Sequence, residues 1–499
     1  MHFSPSKEKF IEQAATANIV AVSAEISTDM ETPVSLYYKL VGKDLGFIFE
    51  SVDTNKNFGR FSFIGAEPFA QLKVYKNHAD IIEGKNQTTL QGAPVDTVKT
   101  YIAKFQIPDV VTELPLLNGG AIGYFAYESI GTFERIRGLE IPEDMVLGEF
   151  LLCRVLVVMD HLKHTSKLIC LSQLTKTENA AVVYDAMIDK LKAVYKKLQQ
   201  AAVPIAVVTE QQTAKHKQSF EERFGKLSKV YMDKVVAGKK YIVAGDIFQI
   251  VPSHQFQCKI NKPPFYLYRR LRQINPSPYM FYINLGERKL VGSSPEMLVK
   301  VSGDTVYTYP IAGTRKRGKD VAEDKMLSED LLADTKECAE HAMLVDLGRN
   351  DIGRISKPGT VEVTKLMQIE KFSHVMHMVS EVKGTVKEDY KALDVLKACF
   401  PAGTVSGAPK VRAMEIINEL ETTPRSTYAG CTGYIDFNGN MDMCITIRTI
   451  RVDEDTAFIQ AGGGIVADSV PETEYREILQ KAQVLFQVIE EVEDDDFIN

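Results

Sequence analysis

Glu337 and Glu340 stand three positions apart, and so do Glu474 and Glu477. On a helix that spacing turns both carboxylates of a pair to one face. Two such faces brought together would offer only oxygen ligands, which suit a hard divalent cation. Magnesium keeps several waters and would leave positions for an anionic substrate. Taken singly, such a pair is more often a solvated helix face, because charged side chains are seldom buried without partners. Spacing alone leaves both readings open.

Other segments suit the binding of an anion. Gln460-Ala-Gly-Gly-Gly-Ile465 follows an apolar run. There Gly462, Gly463 and Gly464 permit positive φ and a close approach of backbone N–H groups to a carboxylate. A tight turn without any ligand reads equally well, and the spacing is wrong for a dinucleotide-binding fingerprint. Ala402-Gly-Thr-Val-Ser-Gly-Ala-Pro409 runs into a helix, whose N-terminus favours negative charge, with the Thr404 hydroxyl beside it. Arg448 lies in the apolar run Cys444-Ile-Thr-Ile-Arg-Thr-Ile450, where a guanidinium calls for a buried carboxylate. An internal salt bridge would meet that need with no ligand at all. His377, in Ser373-His-Val-Met-His-Met-Val-Ser380, falls on the strand face of Val375 and Val379, an ordinary place for a hydrogen-bonded core histidine. Neither a G-x-S-x-G elbow nor a cysteine-nucleophile signature is present.

The elements that must position these residues divide the chain in two. Residues 1–218 carry short strand-like runs at 46–50, 154–160 and 167–171, the last two spaced as a hairpin, then a helix over 180–199 and a polar connection. Residues 219–499 open with Ser219 and Glu222 as a capping box, with Phe220, Phe224, Leu227 and Tyr231 at helical spacing. Strands follow at 247–251, 375–382, 433–437 and 444–450, and helices at 328–347, 409–420 and 472–488. Strands joined by hairpins as well as helices predict an α+β fold. A length of 499 residues, with 45% hydrophobic and 25% charged, is enough for a large core. The net charge of −7 argues against a polyanion-binding surface. Seven scattered cysteines without a C-x-x-C pair read as buried small hydrophobes in a reducing compartment. With no signal-like start and no long apolar run, the expected location is the cytoplasm, with neither membrane nor nucleic acid as partner.

Several motifs, in this order, resemble the chorismate-utilising enzymes and, among them, the large subunits of anthranilate synthases. They are Gly245-Asp-Ile-Phe-Gln-Ile-Val-Pro252, Gly292-Ser-Ser-Pro-Glu-Met297, Pro310-Ile-Ala-Gly-Thr-Arg315, Leu344-Val-Asp-Leu-Gly-Arg-Asn-Asp-Ile-Gly353, the Thr404 loop and the stretch 460–477. The resemblance implies large, mainly antiparallel sheets in a sandwich-like core flanked by helices. It also implies that Glu337, Glu340, Glu474 and Glu477 surround a magnesium ion that receives the ring carboxylate of chorismate. Tyr428, Arg448 and the amides of Gly462, Gly463 and Gly464 would hold the pyruvyl carboxylate, with Gly313, Thr314 and Thr404 also seating the substrate. Glu296 resembles the general acid that protonates the departing 4-hydroxyl while ammonia adds at C2, and His377 would assist the later loss of pyruvate.

Two positions set the chain apart from relatives of different chemistry. Isochorismate and salicylate synthases have a water-activating lysine where this chain has Gln249, and aminodeoxychorismate synthases have a nucleophilic lysine where it has Ala312. Direct attack by ammonia is what remains. Phe49-Glu50-Ser51 with Val52, and Asn275-Pro-Ser-Pro-Tyr-Met-Phe281, resemble the two walls of the family's tryptophan pocket, although Phe49 replaces a leucine. Phe49, Glu50, Ser51, Asn275, Pro278, Tyr279 and Met280 are the implied contacts, and feedback inhibition by tryptophan is the implied consequence. The chain lacks a glutaminase signature, so a separate glutamine amidotransferase subunit would supply ammonia in a hetero-oligomer. An aminodeoxychorismate synthase and a non-catalytic tryptophan-binding paralogue are the competing readings.

Overall fold

The computed structural model describes residues 1–51, 59–108, 117, 119–175, 177–200, 229–371 and 375–494. Its centre is a continuous antiparallel sheet of 21 strands flanked by helices. Two long strands, Phe61–Val74 and Gly148–Asp160, pair along their whole length, with a bulge between Pro68 and Ala70. The sheet branches from this pair. One branch leaves Gly148–Asp160 through Gly120–Phe125, Cys431–Asp436, Met441–Ile445, Met297–Ser302 and Thr305–Thr308 to Val375–Thr385, which also pairs with Ile311–Lys316 and Glu362–Lys371. The other leaves Phe61–Val74 through Gly46–Glu50, Tyr279–Asn284, Arg288–Ser294, Thr449–Asp453 and Thr456–Gly462.

The branches meet again at residues 294–297 and 445–449. Ser294 Oγ donates to Ile445 O (2.6 Å), Ile445 N to Glu296 O (3.0 Å) and Ser293 N to Arg448 O (3.1 Å). Strands from either side of residue 218 therefore alternate in one sheet: Gly46–Glu50 pairs with Tyr279–Asn284, and Gly120–Phe125 with Cys431–Asp436. Residue 218 itself, the capping box at Ser219 and the apolar positions before Tyr231 lie outside the described residues.

The helices at 180–199, 409–420 and 472–488 are found as Ala180–Gln200, Lys410–Leu420 and Pro471–Asp494. Three expectations change. The helix expected over 328–347 is two, Val321–Ala333 and Thr335–Gly353, because Asp334 adopts an extended backbone and its carboxylate caps Lys336 N and Glu337 N. The strand expected over 444–450 is broken into Met441–Ile445 and Thr449–Asp453 by Arg448, whose φ of 50° lies in the left-handed region. Of 247–251 only Gln249–Ile250 is strand, paired with Gly407–Ala408. Five cysteines are buried, but Cys258 and Cys338 are only half-buried, and none of the seven is in a disulfide. Among the described residues no helix is long and apolar enough to cross a membrane.

Candidate active site

The helix Thr335–Gly353 carries Glu337 toward Gly313 and Glu340 toward Gln249. Asp334 fixes its start, and Arg315 grips Asp334 (3.0 Å) and Glu337 (3.6 Å). Burial, and then the neighbouring Glu340, raise the Glu337 pKa, as expected for two carboxylates forced together. Gln249, buried on its short strand, donates from Nε2 to Glu340 Oε1 at 3.4 Å.

The second pair projects from Pro471–Asp494. Glu477 pairs with Lys481 (2.7 Å), and Lys481 Nζ donates to Gly462 O (3.0 Å). Burial is the main cause of a raised Glu474 pKa, and its Oε2 is buried without a hydrogen-bond partner among the described residues. The glycine loop joins the two pairs. A Cβ on Gly464 would stand 2.7 Å from Gln249 Nε2, and one on Gly463 would stand 3.4 Å from Glu474 Oε2. Glu340, through Gln249, and Glu474 thus reach consecutive residues of one loop. No three acidic, histidine or cysteine side chains stand at metal-ligand spacing among the described residues. In kind the donor set still suits a hard cation: all four are carboxylates, two have raised pKa values, and one oxygen is left unsatisfied.

The loop needs glycine for closeness. None of the three glycines has a positive φ, contrary to one expectation, whereas a side chain at Gly462 would strike Tyr428 Oη at 2.6 Å and Pro252 O at 2.9 Å. Tyr428 is buried. Arg448 is half-buried, and its partial burial lowers its pKa, opposed by Tyr428 and Glu477. The buried carboxylate expected beside it is absent as an ion pair among the described residues; Glu477 acts on it only through space.

Glu296 and Thr404 line a cavity of about 50 Å³ with Pro310, Leu347 and Gly403. Burial pushes the Glu296 carboxyl up to about 7, and the nearby Thr404 hydroxyl draws it partly back. Thr404 Oγ1 is itself buried without a hydrogen bond of normal geometry among the described residues. On the facing strand, His377 Nδ1 lies 3.2 Å from Gly313 O and 3.0 Å from Thr314 Oγ1. Donation from Nδ1 to the carbonyl leaves the lone pair on Nε2. Burial lowers the His377 pKa, so the ring is neutral near pH 7. Gly313, at φ 72°, makes the bulge between Ala312 and Thr314 that turns its carbonyl to the ring.

A separate cavity of about 430 Å³ is lined by Phe49, Glu50, Ser51, Pro278, Tyr279 and Met280. Adjacent strands bring these two segments together, with Met280 paired to Glu50. Ser51 Oγ is buried without a partner among the described residues. Asn275 is not in the lining: its Nδ2 donates to Ser293 Oγ (2.9 Å), on the strand leading to Glu296. Two groups at the main site were missed from the sequence. Lys481 stands four residues after Glu477, and that helical spacing was a usable signal. Tyr231 was read only as an apolar helix position.

A model of the chorismate binding enzyme family matches residues 47–487, and the chain belongs to that family. Along its whole length it is similar to proteins named anthranilate synthase component 1. It is 45% identical to that of Acetivibrio thermocellus, over 98% of this chain and 99% of the relative. It is 42% identical to that of Aquifex aeolicus, over 99% of each. The crystal structure of anthranilate synthase component I from Streptococcus pneumoniae TIGR4 superposes with a TM-score of 0.71 at 35% identity, covering 92% of this chain and 99% of that one. The menaquinone-specific isochorismate synthase MenF of Escherichia coli, at 18% identity and a TM-score of 0.67 over 95% of each chain, shares the fold.

Proposed function

We propose that this chain is the chorismate-converting component of an anthranilate synthase, turning chorismate and ammonia into anthranilate, pyruvate and water. The observation that carries this reading is Glu296, a carboxyl held near neutrality by burial beside Thr404. An acid of that strength can donate a proton to the departing 4-hydroxyl at neutral pH. Gln249 is uncharged and committed to Glu340, so it does not activate water, and Ala312 has no amine. Ammonia therefore adds at C2 itself. Tyr428, Arg448 and the loop amides hold the pyruvyl carboxylate, and Gly313, Thr314 and Thr404 seat the ring. Neutral His377 takes up the C2 proton as pyruvate leaves with the enol-ether oxygen and the ring becomes aromatic.

Glu337, Glu340, Glu474 and Glu477 would hold magnesium, whose charge would offset that of the ring carboxylate against this acidic wall. A glutamine amidotransferase subunit supplies the ammonia, and the complex works in the cytoplasm. The cavity between Phe49–Ser51 and Pro278–Met280 binds tryptophan as a feedback inhibitor; its aromatic walls and the Ser51 hydroxyl, which has no partner among the described residues, support this. The purified chain with chorismate and ammonium chloride is expected to release fluorescent anthranilate only when magnesium is present. Aminodeoxychorismate as the sole amino product, separated chromatographically, would favour the neighbouring chemistry, and no product at all would refute the assignment.

A further inference from the structure

Tyr231 Oη and Glu474 Oε2 are both buried polar atoms without a hydrogen bond of normal geometry among the described residues, although the Gly463 N–H approaches the Tyr231 oxygen. Both face the same point. A Cβ on Gly463 would stand 3.2 Å from Tyr231 Oη and 3.4 Å from Glu474 Oε2, so one gap above Gly463 separates a donor from an acceptor. Tyr231 is fully buried on the helix Lys229–Val243, which packs against Pro471–Asp494, and its ring lies 6.0 Å from that of Tyr475. Packing sets the direction of the phenol, and burial, then Tyr428, Glu474 and Glu477, raise its pKa against the Gly463 backbone N–H. It can therefore donate beside two carboxylates without adding charge.

We propose that Tyr231 is a positioning residue of the cation site: its phenol donates a hydrogen bond to the Glu474 carboxylate, directly or through one water, and fixes which oxygen turns to the ion. This rests on Glu474 being a ligand of the divalent cation. Ligating carboxylates depend on such outer partners for orientation, and losing one weakens metal binding by about 10–100-fold. The missing side chain at Gly463 leaves the gap open for the bond or the water.

Manganese binding to the whole chain, read from the electron paramagnetic resonance signal of free Mn²⁺, tests this apart from turnover. Tyr231→Phe keeps the ring and is expected to raise the Mn²⁺ Kd at least about tenfold with an unchanged thermal midpoint. Added to Glu474→Gln, it should cost nothing more, since the carboxylate it serves is gone. Gly463→Ala, which leaves Tyr231 intact but puts a methyl group between the two oxygens, should weaken binding likewise. An unchanged Kd in Tyr231→Phe, or additive losses in the double variant, would overturn the role of Tyr231 alone. Failure of the unmodified chain to bind Mn²⁺, or indifference to Glu474→Gln, would overturn the reading of the glutamates and this inference with it.

Discussion

Replacing Glu296 by Gln should damage catalysis and stabilise the fold, with the stabilisation depending on pH. Burial raises this carboxyl from its ordinary 4.5 to about 7. A raised folded-state pKa means that ionisation costs more in the folded chain than in the unfolded one. The penalty is absent well below 4.5, grows between 4.5 and 7, and is complete above 7. At about 1.4 kcal/mol per tenfold change in acidity, it comes to about 1 kcal/mol at pH 5 and about 3 kcal/mol at pH 8. The carboxyl keeps some contact with the water of its cavity, so these figures are ceilings. Gln cannot ionise and escapes the penalty, but it cannot protonate a leaving hydroxyl, and kcat should fall about 10²–10⁴-fold. Thermal melts of both proteins at pH 5 and pH 8, with kcat at saturating chorismate and ammonia, are the assay. A variant no more stabilised at pH 8 than at pH 5 would refute the buried-acid argument.

The same carboxyl predicts that kcat declines as pH rises through about 7, because the protonated form is the donor; a rate still climbing at pH 9 would contradict it. Glu474→Gln should raise the magnesium concentration for half-maximal activity by about tenfold or more, read from the initial rate of anthranilate release. Gly464→Ala sets a methyl group 2.7 Å from Gln249 Nε2, and should raise the KM for chorismate while leaving the thermal midpoint nearly constant. Ser51→Phe, which fills the second cavity from its wall, should raise the tryptophan concentration for half-inhibition by about tenfold or more. An unaltered inhibition curve would place the tryptophan site elsewhere.

The sequence exposed the parts of this site that depend on local periodicity. Glu337 with Glu340, and Glu474 with Glu477, were visible because helical spacing is a short-range property, and the glycine run because backbone approach leaves a compositional trace. Competition between local and tertiary forces was harder to see. Asp334 reads as one polar position in a long helix until its carboxylate is found capping the next one, and Arg448 reads as a strand residue until its positive φ ends that strand. The branched sheet was legible only as α+β, since pairings such as Gly46–Glu50 with Tyr279–Asn284 join segments more than two hundred residues apart and leave no periodic mark. The residue motifs that resemble a family told more about the second cavity than any pattern of hydropathy. Tyr231 stayed hidden because a buried tyrosine at helical spacing has the signature of ordinary core, and what distinguishes it is a hydroxyl with no hydrogen bond of normal geometry among the described residues.

Two helices sharing one divalent ion beside the glycine loop are the centre of the proposed chemistry. Crystals of the chain grown with manganese and a chorismate analogue, measured at an X-ray energy where manganese scatters anomalously, test this most directly. A single strong peak among Glu337, Glu340, Glu474 and Glu477 is the predicted result. A peak held by other side chains, or no peak when the analogue is bound, would contradict it.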